Sequence, residues 1–146
     1  MFNLKVDYPS FSEEVQIVKS TTSNTEVSVS KVLSATEILN IQELIRQIPV
    51  ADNVVEYAVK LVTKTRPESD SATESVKKYL SWGAGPRASQ FLVIAAKAYA
   101  AINGKFSPDI EDVQAVALPI LRHRVVRNYK AEAEGMSIEK LVDSLL

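Results

Sequence analysis

Apolar residues recur at helical spacing along most of the chain, and this pattern predicts a mainly helical protein. Two segments, Ser10–Glu13 and Ser34–Glu37, place a serine three residues before a glutamate, which is the spacing of a capping box and predicts a helix start. The first helix is expected to reach about Lys19, and the second ends at Pro49. The second helix carries an apolar stripe that we expect to face a core, made of Ile38, Ile41, Leu44, Ile45 and Ile48.

Two longer helices are predicted in the middle of the chain. Asp52 is expected to cap a helix that runs to Arg66–Pro67. Its inward face is expected to contain Val54, Val55, Ala58, Leu61 and Val62. The next helix begins at Pro86 and ends at Asn103–Gly104, and its segment Phe91–Ile102 has almost no polar face. We therefore expect it to be the central helix of a bundle.

Shorter helices are predicted around these two. Val76–Leu80 predicts an added helical turn. Ser107–Pro108 predicts an N-cap followed by proline at the first helical position, and Pro119 should kink or restart the helix that follows. Ser137 is expected to cap a final helix that runs to Leu146.

Alternating apolar and polar residues predict a small amount of strand. Phe2–Val6 alternates with a period of two, and Tyr8–Pro9 closes this short strand. A single terminal strand needs a sheet to join, and because the rest of the chain offers little, we expect that sheet to lie outside this chain. Val27–Val32 alternates in the same way, and Val125–Val126 is predicted as a short strand that pairs with it.

Composition narrows the class of protein. The 146 residues suit one domain, and 46% hydrophobic and 24% charged residues are ordinary globular values. Seventeen Lys and Arg against eighteen Asp and Glu give a net charge of −1, so no overall basic field favours nucleic acid or anionic lipid. With no cysteine and one histidine, disulfides, thiolate metal sites and His-rich metal sites are excluded.

The chain shows no targeting segment. Its longest apolar run, Phe91–Ile102, is about a dozen residues and too short to cross a bilayer. The first residues lack the basic and apolar regions of a signal peptide. We therefore expect a cytoplasmic protein without membrane contact.

Sequence motifs for hydrolysis are absent from the chain. None of the four glycines begins a Walker A loop, and neither a G-x-S-x-G elbow nor an H-E-x-x-H helix occurs. His123 has only arginines as near neighbours, which disfavours a metal ligand or general base there. The acidic residues are scattered as helix caps and solvated faces. We expect no metal site and no catalysis by the isolated chain.

The segment Gly83–Ser89 carries the strongest local signal for binding. Arg87 follows Pro86 at a helix start, where a positive side chain meets the positive end of the helix dipole. An anion would turn this arrangement into a favourable one, because free amides, flexible glycines and a guanidinium form a phosphate-sized site. Local spacing alone favours the simpler interpretation that Arg87 faces water or pairs with a carboxylate.

A basic cluster lies near the carboxyl end of the chain, made of Arg122, His123, Arg124, Arg127 and Lys130. It could contact nucleic acid or an acidic protein surface. Because aromatic residues are almost lacking nearby and Leu121, Val125 and Val126 are interleaved, we favour a solvated face or a subunit contact over nucleic acid.

Five short motifs, read together, resemble the carboxy-terminal part of a MoxR-family AAA+ ATPase. They are Val6–Ser10, Val50–Asp52, Thr65–Arg66, Gly83–Ser89 and Leu121–Arg124, in the family's order and across the whole chain. The Gly-x-x-Pro-Arg-Ala segment is the most specific of them. Gly85 departs from the family, which commonly has serine there, but the arginine and its helix start are intact.

The resemblance implies a fold, a site and a set of partners. Residues 1–9 would be the end of the nucleotide-binding core and the hinge, and residues 10–146 the helical lid, an AAA+ lid-type bundle. Arg87 would be the sensor 2 arginine, acting in catalysis and in nucleotide binding, and Pro86, Tyr8 and Pro9 would also contact the nucleotide.

In such a protein, ATP and Mg²⁺ bind to the full-length parent, and none is held by this chain alone. Its partners would be the amino-terminal AAA+ core, the neighbouring subunits of a hexameric ring and, as often in the family, a von Willebrand factor A domain protein. The parent would couple ATP hydrolysis to chaperone-like remodelling. The alternative, which composition supports equally well, is a free-standing helical interaction module without nucleotide that docks through Arg122 to Lys130.

Overall fold

A computed structural model describes residues 2–24 and 28–146 of the chain. Within these residues the fold is mainly α with two short strands, which confirms the predicted fold class. The helices are α1 (Phe11–Thr21), α2 (Ala35–Gln47), α3 (Asp52–Lys64), α4 (Glu74–Tyr79), α5 (Pro86–Ile102), α6 (Ile110–Leu121), α7 (Tyr129–Ala133) and α8 (Ile138–Asp143). The strands are β1 (Leu80–Trp82) and β2 (Val126–Arg127).

Helix α5 is the centre of the bundle, as predicted, and packs against α2, α3 and α6. Its buried residues recur every four positions and form one stripe of Ala88, Leu92, Ala96 and Ala100. Three of these four are alanines, whose small side chains let neighbouring helices approach closely. The expectation that α5 has almost no wet face is wrong at its end, where Ile102 is 84% exposed.

The two predicted capping boxes are present. The Ser10 amide donates to Glu13 Oε2 at 2.8 Å, and the Ser34 amide donates to Glu37 Oε2 at 2.7 Å. Both serine hydroxyls accept from the backbone amide of the same glutamate. These bonds form within four consecutive residues, so the sequence alone was sufficient to place them.

Two other predicted caps are wrong in position. Ala51 is the N-cap of α3 and makes no side-chain cap, and Asp52 is the first helical residue. Helix α6 begins at Ile110 rather than after Ser107, because Asp109 and Asp112 form a reciprocal capping box there. Asp109 Oδ1 accepts from the Asp112 amide at 3.1 Å, and Asp112 Oδ2 accepts from the Asp109 amide at 2.9 Å. A two-sided box satisfies two helix-start amides and outweighs the proline signal.

The carboxyl end contains one helix more than predicted, and its last helix is shorter than predicted. Helix α6 continues through Pro119 and ends at Leu121. A short helix, α7, follows and was not predicted, with Asn128 as its cap. Ser137 caps the last helix as predicted, but α8 ends at Asp143 instead of Leu146.

The predicted pairing of the strands is wrong. Strand β2 pairs antiparallel with β1, with Leu80 opposite Arg127 and Trp82 opposite Val126. Val27 lies outside the described residues, and residues 28–34 contain no strand. Strand β1 directly follows α4, and only its first residue, Leu80, lies in the predicted helical turn Val76–Leu80.

The strand predicted over Phe2–Val6 is absent, since residues 2–9 belong to no strand in the described part of the chain. The Asn3 amide donates to the Pro119 carbonyl oxygen at 2.8 Å, at the end of α6. Phe2 borders an apolar cavity of about 170 Å³ between α5 and α6, lined also by Phe91, Ile94, Ala95, Ala98 and Ile120. The expected sheet outside the chain remains a prediction.

Helices α1 and α2 bury none of their residues. The stripe predicted to face a core on α2 is therefore largely open to solvent, and Leu44 is 60% exposed. On α1, Phe11 and Val18 are also exposed. Two amphipathic helices thus present apolar side chains that the described residues of this chain do not cover.

Candidate functional site

The site begins where the end of α3 meets the loop before α5. Thr65 is fully buried, and its Oγ1 accepts a hydrogen bond from the Ala84 amide at 2.9 Å. The same hydroxyl donates to the Val62 carbonyl at 2.6 Å. Arg66 Nε donates to the Ala84 carbonyl at 3.0 Å. Both backbone groups of Ala84 are therefore bound by two neighbouring side chains, a contact that we call the Thr65–Arg66 clamp.

Gly83 allows the clamp to close. A Cβ atom at this position would lie 2.5 Å from Arg66 Cα, 2.5 Å from the Thr65 carbonyl oxygen and 2.7 Å from the Arg66 amide nitrogen. All three are backbone atoms, which cannot rotate aside. Only glycine fits this approach between the loop and the end of α3.

The next three residues form the start of α5. Gly85 is the N-cap in extended conformation and supplies no side-chain cap, and Pro86 is the first helical residue. The first turn of α5 contains no acidic residue. The amides of this turn are therefore a positive helix end without a compensating negative side chain from α5 itself.

Arg87 extends from this helix start into solvent. Within residues 2–24 and 28–146 it makes no hydrogen bond or ion pair. Of the simpler interpretation, the structure therefore contains the water-facing arginine and not the pair with a carboxylate. Ala84 and Ala88 on either side of it are buried. A guanidinium next to a helix N-terminus, on a fixed backbone, can bind an oxyanion such as a phosphate.

The other predicted site residues lie in two places. Pro86 is adjacent to Arg87 and exposed. Tyr8 and Pro9 lie before α1, where they line an open groove with residues of α1. Tyr8 is fully exposed. No hydrogen bond joins Tyr8 or Pro9 to the start of α5 in the described residues.

The basic cluster is largely engaged within the chain. Arg122 pairs with Glu139, with 3.1 Å between Nε and Oε1. The Arg124 guanidinium lies over the Phe91 ring, 5.0 Å from its centre. Arg127 Nη1 donates to the Met136 carbonyl at 2.9 Å. These three arginines hold α5, α8 and the α7–α8 turn in place.

The pKa of His123, in the same cluster, is lowered by partial burial and by the charge of Arg124. Its imidazole is therefore neutral at pH 7 and adds no charge to the cluster.

Neither a metal-ion cluster nor a membrane span is found in the described ranges. In residues 2–24 and 28–146 no group of three His, Asp or Glu side chains is placed to hold a metal ion. The same part of the chain contains no helix that is both long and apolar enough to cross a membrane.

The Thr65–Arg66 clamp is the part of the site that sequence reasoning missed. The sequence indicates Thr65 and Arg66 only as one motif of the family resemblance and gives them no role. The sequence does contain one indication of this contact. Thr65 follows the apolar face of a helix, where the side chain is expected to be buried, and a buried hydroxyl requires a hydrogen-bond partner. That partner is 19 residues further along the chain.

The chain is similar to known proteins. Residues 72–145 match the AAA lid domain family, which covers β1, β2 and the start of α5 with Arg87. Chaperone MoxR1 of Mycobacterium tuberculosis is 32% identical over 146 residues, which is all of this chain and 38% of that protein. Uncharacterized protein YeaC of Bacillus subtilis is 26% identical over 147 residues, all of this chain and 43% of that protein.

A solved structure has the same fold. The crystal structure of "a putative ATPase from Cytophaga hutchinsonii" superposes with a TM-score of 0.84 and 29% identity, covering 99% of this chain and 44% of that one. The chain thus spans about two fifths of the length of these relatives. The resemblance to the lid part of a MoxR-family AAA+ ATPase is confirmed. The chain belongs to the AAA lid domain family.

Proposed function

We propose that this chain is the nucleotide-sensing lid of a cytoplasmic, hexameric MoxR-like ATPase, and that Arg87 is its sensor 2 arginine. In this proposal residues 1–9 end the nucleotide-binding core and form the hinge, and residues 10–146 form the lid. ATP hydrolysis on the core moves the lid, and lid movement is coupled to chaperone-like remodelling.

The observation that carries the proposal is the exposure of Arg87 and the lack of a partner for it among the described residues. The backbone beside this exposed side chain is fixed by the buried residues Ala84 and Ala88. The side chains of Arg122, Arg124 and Arg127, by contrast, are each engaged within the chain. An unpaired guanidinium on a rigid helix start is suited to an anion supplied by another domain.

The Arg87 guanidinium and the first amides of α5 are suited to phosphates rather than to a metal ion. When ATP with Mg²⁺ is bound by such a core, it supplies the phosphoryl group that is transferred to water. Arg87 would hold its phosphates, and Pro86, Tyr8 and Pro9 would border the nucleotide. The contribution of this chain is a preorganised positive charge at the point where negative charge develops. We expect no ATP hydrolysis by the isolated chain.

The uncovered apolar residues of α1 and α2 support docking to other protein surfaces. We assign these surfaces to the AAA+ core of the same polypeptide and to neighbouring subunits of the ring. A von Willebrand factor A domain protein is a further partner that the family resemblance suggests, and no residue of this chain is assigned to it.

A free-standing helical interaction module is the second candidate. Its expected docking face, Arg122 to Lys130, is largely engaged within the chain, so the exposed faces on α1 and α2 are what favour it. The two candidates differ in what precedes residue 1 in the gene. Walker A and Walker B motifs in the same reading frame support the lid. A start codon with no upstream frame supports the interaction module.

The test is the substitution Arg87→Ala in the ATPase that contains this chain. We expect steady-state ATP turnover to fall by about 10²-fold, the usual cost of removing one charge-directed contact that acts in the transition state. Arg87→Lys should rescue poorly, because an ammonium lacks the planar fork that binds two phosphate oxygens.

The matched control is Lys140→Ala, which removes an exposed cation from the last turn of α8, away from the surfaces assigned to docking. The melting temperature of the 146-residue chain should change little with either alanine. Unchanged turnover in Arg87→Ala, alongside a large loss of stability, would make Arg87 a structural residue.

A further inference from the structure

The loop before α5 is fixed to α3 at a single residue. Ala84 is buried, its amide donates to Thr65 Oγ1, and its carbonyl accepts from Arg66 Nε. Gly83 lies directly against the backbone of Thr65 and Arg66. These contacts join two segments that are far apart in the sequence.

The path from this fixed point to Arg87 is short and stiff. Only Gly85 and Pro86 separate Ala84 from Arg87, and the ring of Pro86 fixes its own φ angle. On the other side, Ala88 is fully buried against the bundle. The Cα atom of Arg87 therefore has little freedom of its own, and its position follows from where Thr65 and Arg66 hold Ala84.

We propose that Thr65 and Arg66 are positioning residues for Arg87, a role that rests on the proposed function of Arg87. Neither residue need contact nucleotide. They act by holding the first turn of α5 so that the guanidinium is presented in one orientation before the nucleotide arrives. Such preorganisation matters in catalysis because a displacement of about 1 Å in a charged group can cost a large part of its effect, up to 10²-fold.

The first experiment measures local order in the 146-residue chain. Thr65→Val keeps the shape of the side chain but removes the hydroxyl that accepts from the Ala84 amide, whereas Thr65→Ser keeps that hydroxyl. Thr63→Val is the matched control, because among the described residues the Thr63 hydroxyl donates only to the Val59 carbonyl within α3. Amide hydrogen exchange at Ala84 is the readout.

We expect Thr65→Val to speed exchange at Ala84 by roughly tenfold to a hundredfold relative to Leu92, the cost of one buried hydrogen bond converted to a rate. Thr65→Ser should restore the slow exchange, and Thr63→Val should leave it unchanged. A uniform change at Ala84 and Leu92, or none, overturns the clamp as a local ordering device.

The second experiment measures turnover in the ATPase that contains this chain. Thr65→Val should lower kcat by roughly tenfold, with a smaller change in KM for ATP, because it affects how well Arg87 meets the transition state. In an Arg87→Ala background the same substitution should have no further effect, since the group it positions is gone. Thr65→Ser should recover most of the lost turnover.

The outcomes separate the two proposals. If Thr65→Val lowers turnover equally with and without Arg87, the residue is merely structural and the positioning role is wrong. If Arg87→Ala lowers turnover but Thr65→Val does not, the positioning role fails alone and the proposed function stands. If Arg87→Ala itself leaves turnover unchanged, the proposed function fails and the positioning role fails with it.

Discussion

Replacing Gly83 with alanine tests the closest backbone approach in the candidate site. The added Cβ would lie 2.5 Å from both Arg66 Cα and the Thr65 carbonyl oxygen. These atoms belong to the end of α3, so the methyl group can be accommodated only if the loop moves away from α3. That movement breaks the hydrogen bonds that Ala84 makes to Thr65 and Arg66.

The expected loss of stability is moderate. Forcing one extra carbon into a packed contact costs about 1–3 kcal/mol. A change of 1 kcal/mol shifts the melting temperature of a domain of this size by about 3–4 °C, so Gly83→Ala should lower it by about 3–12 °C. The effect on the ATPase should be larger than this shift suggests, because the displaced loop carries Arg87.

Gly85→Ser is the matched control two residues away. A Cβ at Gly85 would meet no described atom within 4 Å, and the residue is an N-cap in extended conformation. A serine hydroxyl can cap the first amides of α5, so the free energy of unfolding should be unchanged or raised by a few tenths of a kcal/mol, and the melting temperature should not fall.

Thermal unfolding followed by circular dichroism measures both variants. An unchanged melting temperature in Gly83→Ala, or an equal loss in both variants, would show that the approach at Gly83 is not the constraint we describe.

Two further predictions concern other parts of the fold. Hydrogen bonds from Lys78 and from Tyr79 lower the pKa of Glu134 below its ordinary value of 4.5, so its stabilising effect is present above that value and is lost as pH falls through the folded pKa. Glu134→Gln should therefore lower the melting temperature at pH 6 and show a smaller deficit at pH 3, and a constant deficit across this range contradicts the prediction. Phe2→Ala should cost about 1 kcal/mol, because roughly half of the ring is buried, and should speed amide exchange at Asn3. Slow exchange at Asn3 in that variant would show that the segment is held without Phe2.

The elements that the sequence predicts correctly are those set by neighbouring residues. The boxes at Ser10 and Ser34 need only four consecutive residues, and both are present. The same logic would have found the start of α6, because Asp109 and Asp112 have the capping-box spacing with aspartate in both places. Pro108 instead favoured a helix start after Ser107, which is too early.

The features that the sequence does not predict depend on contacts between distant segments. The partner of β2 is β1, which no period or turn signal indicates because it is three residues long. The apolar stripe of α2 has the spacing of a core face, and spacing cannot say whether this chain or another surface covers it. Arg87 could be located from its helix start, whereas the clamp that holds it could not, since Thr65 and Ala84 are 19 residues apart.

The exposed end of β1 gives the chain an optical probe of its own. Trp82 is the one tryptophan in the sequence, is 71% exposed and is followed directly by Gly83. Indole emission responds to water and to nearby charge, so fluorescence from the unlabelled chain reports on the loop that carries the clamp. A protein surface or an anion that covers the start of α5 would therefore be seen as a change in intensity or wavelength, with no dye and no engineered residue near the site.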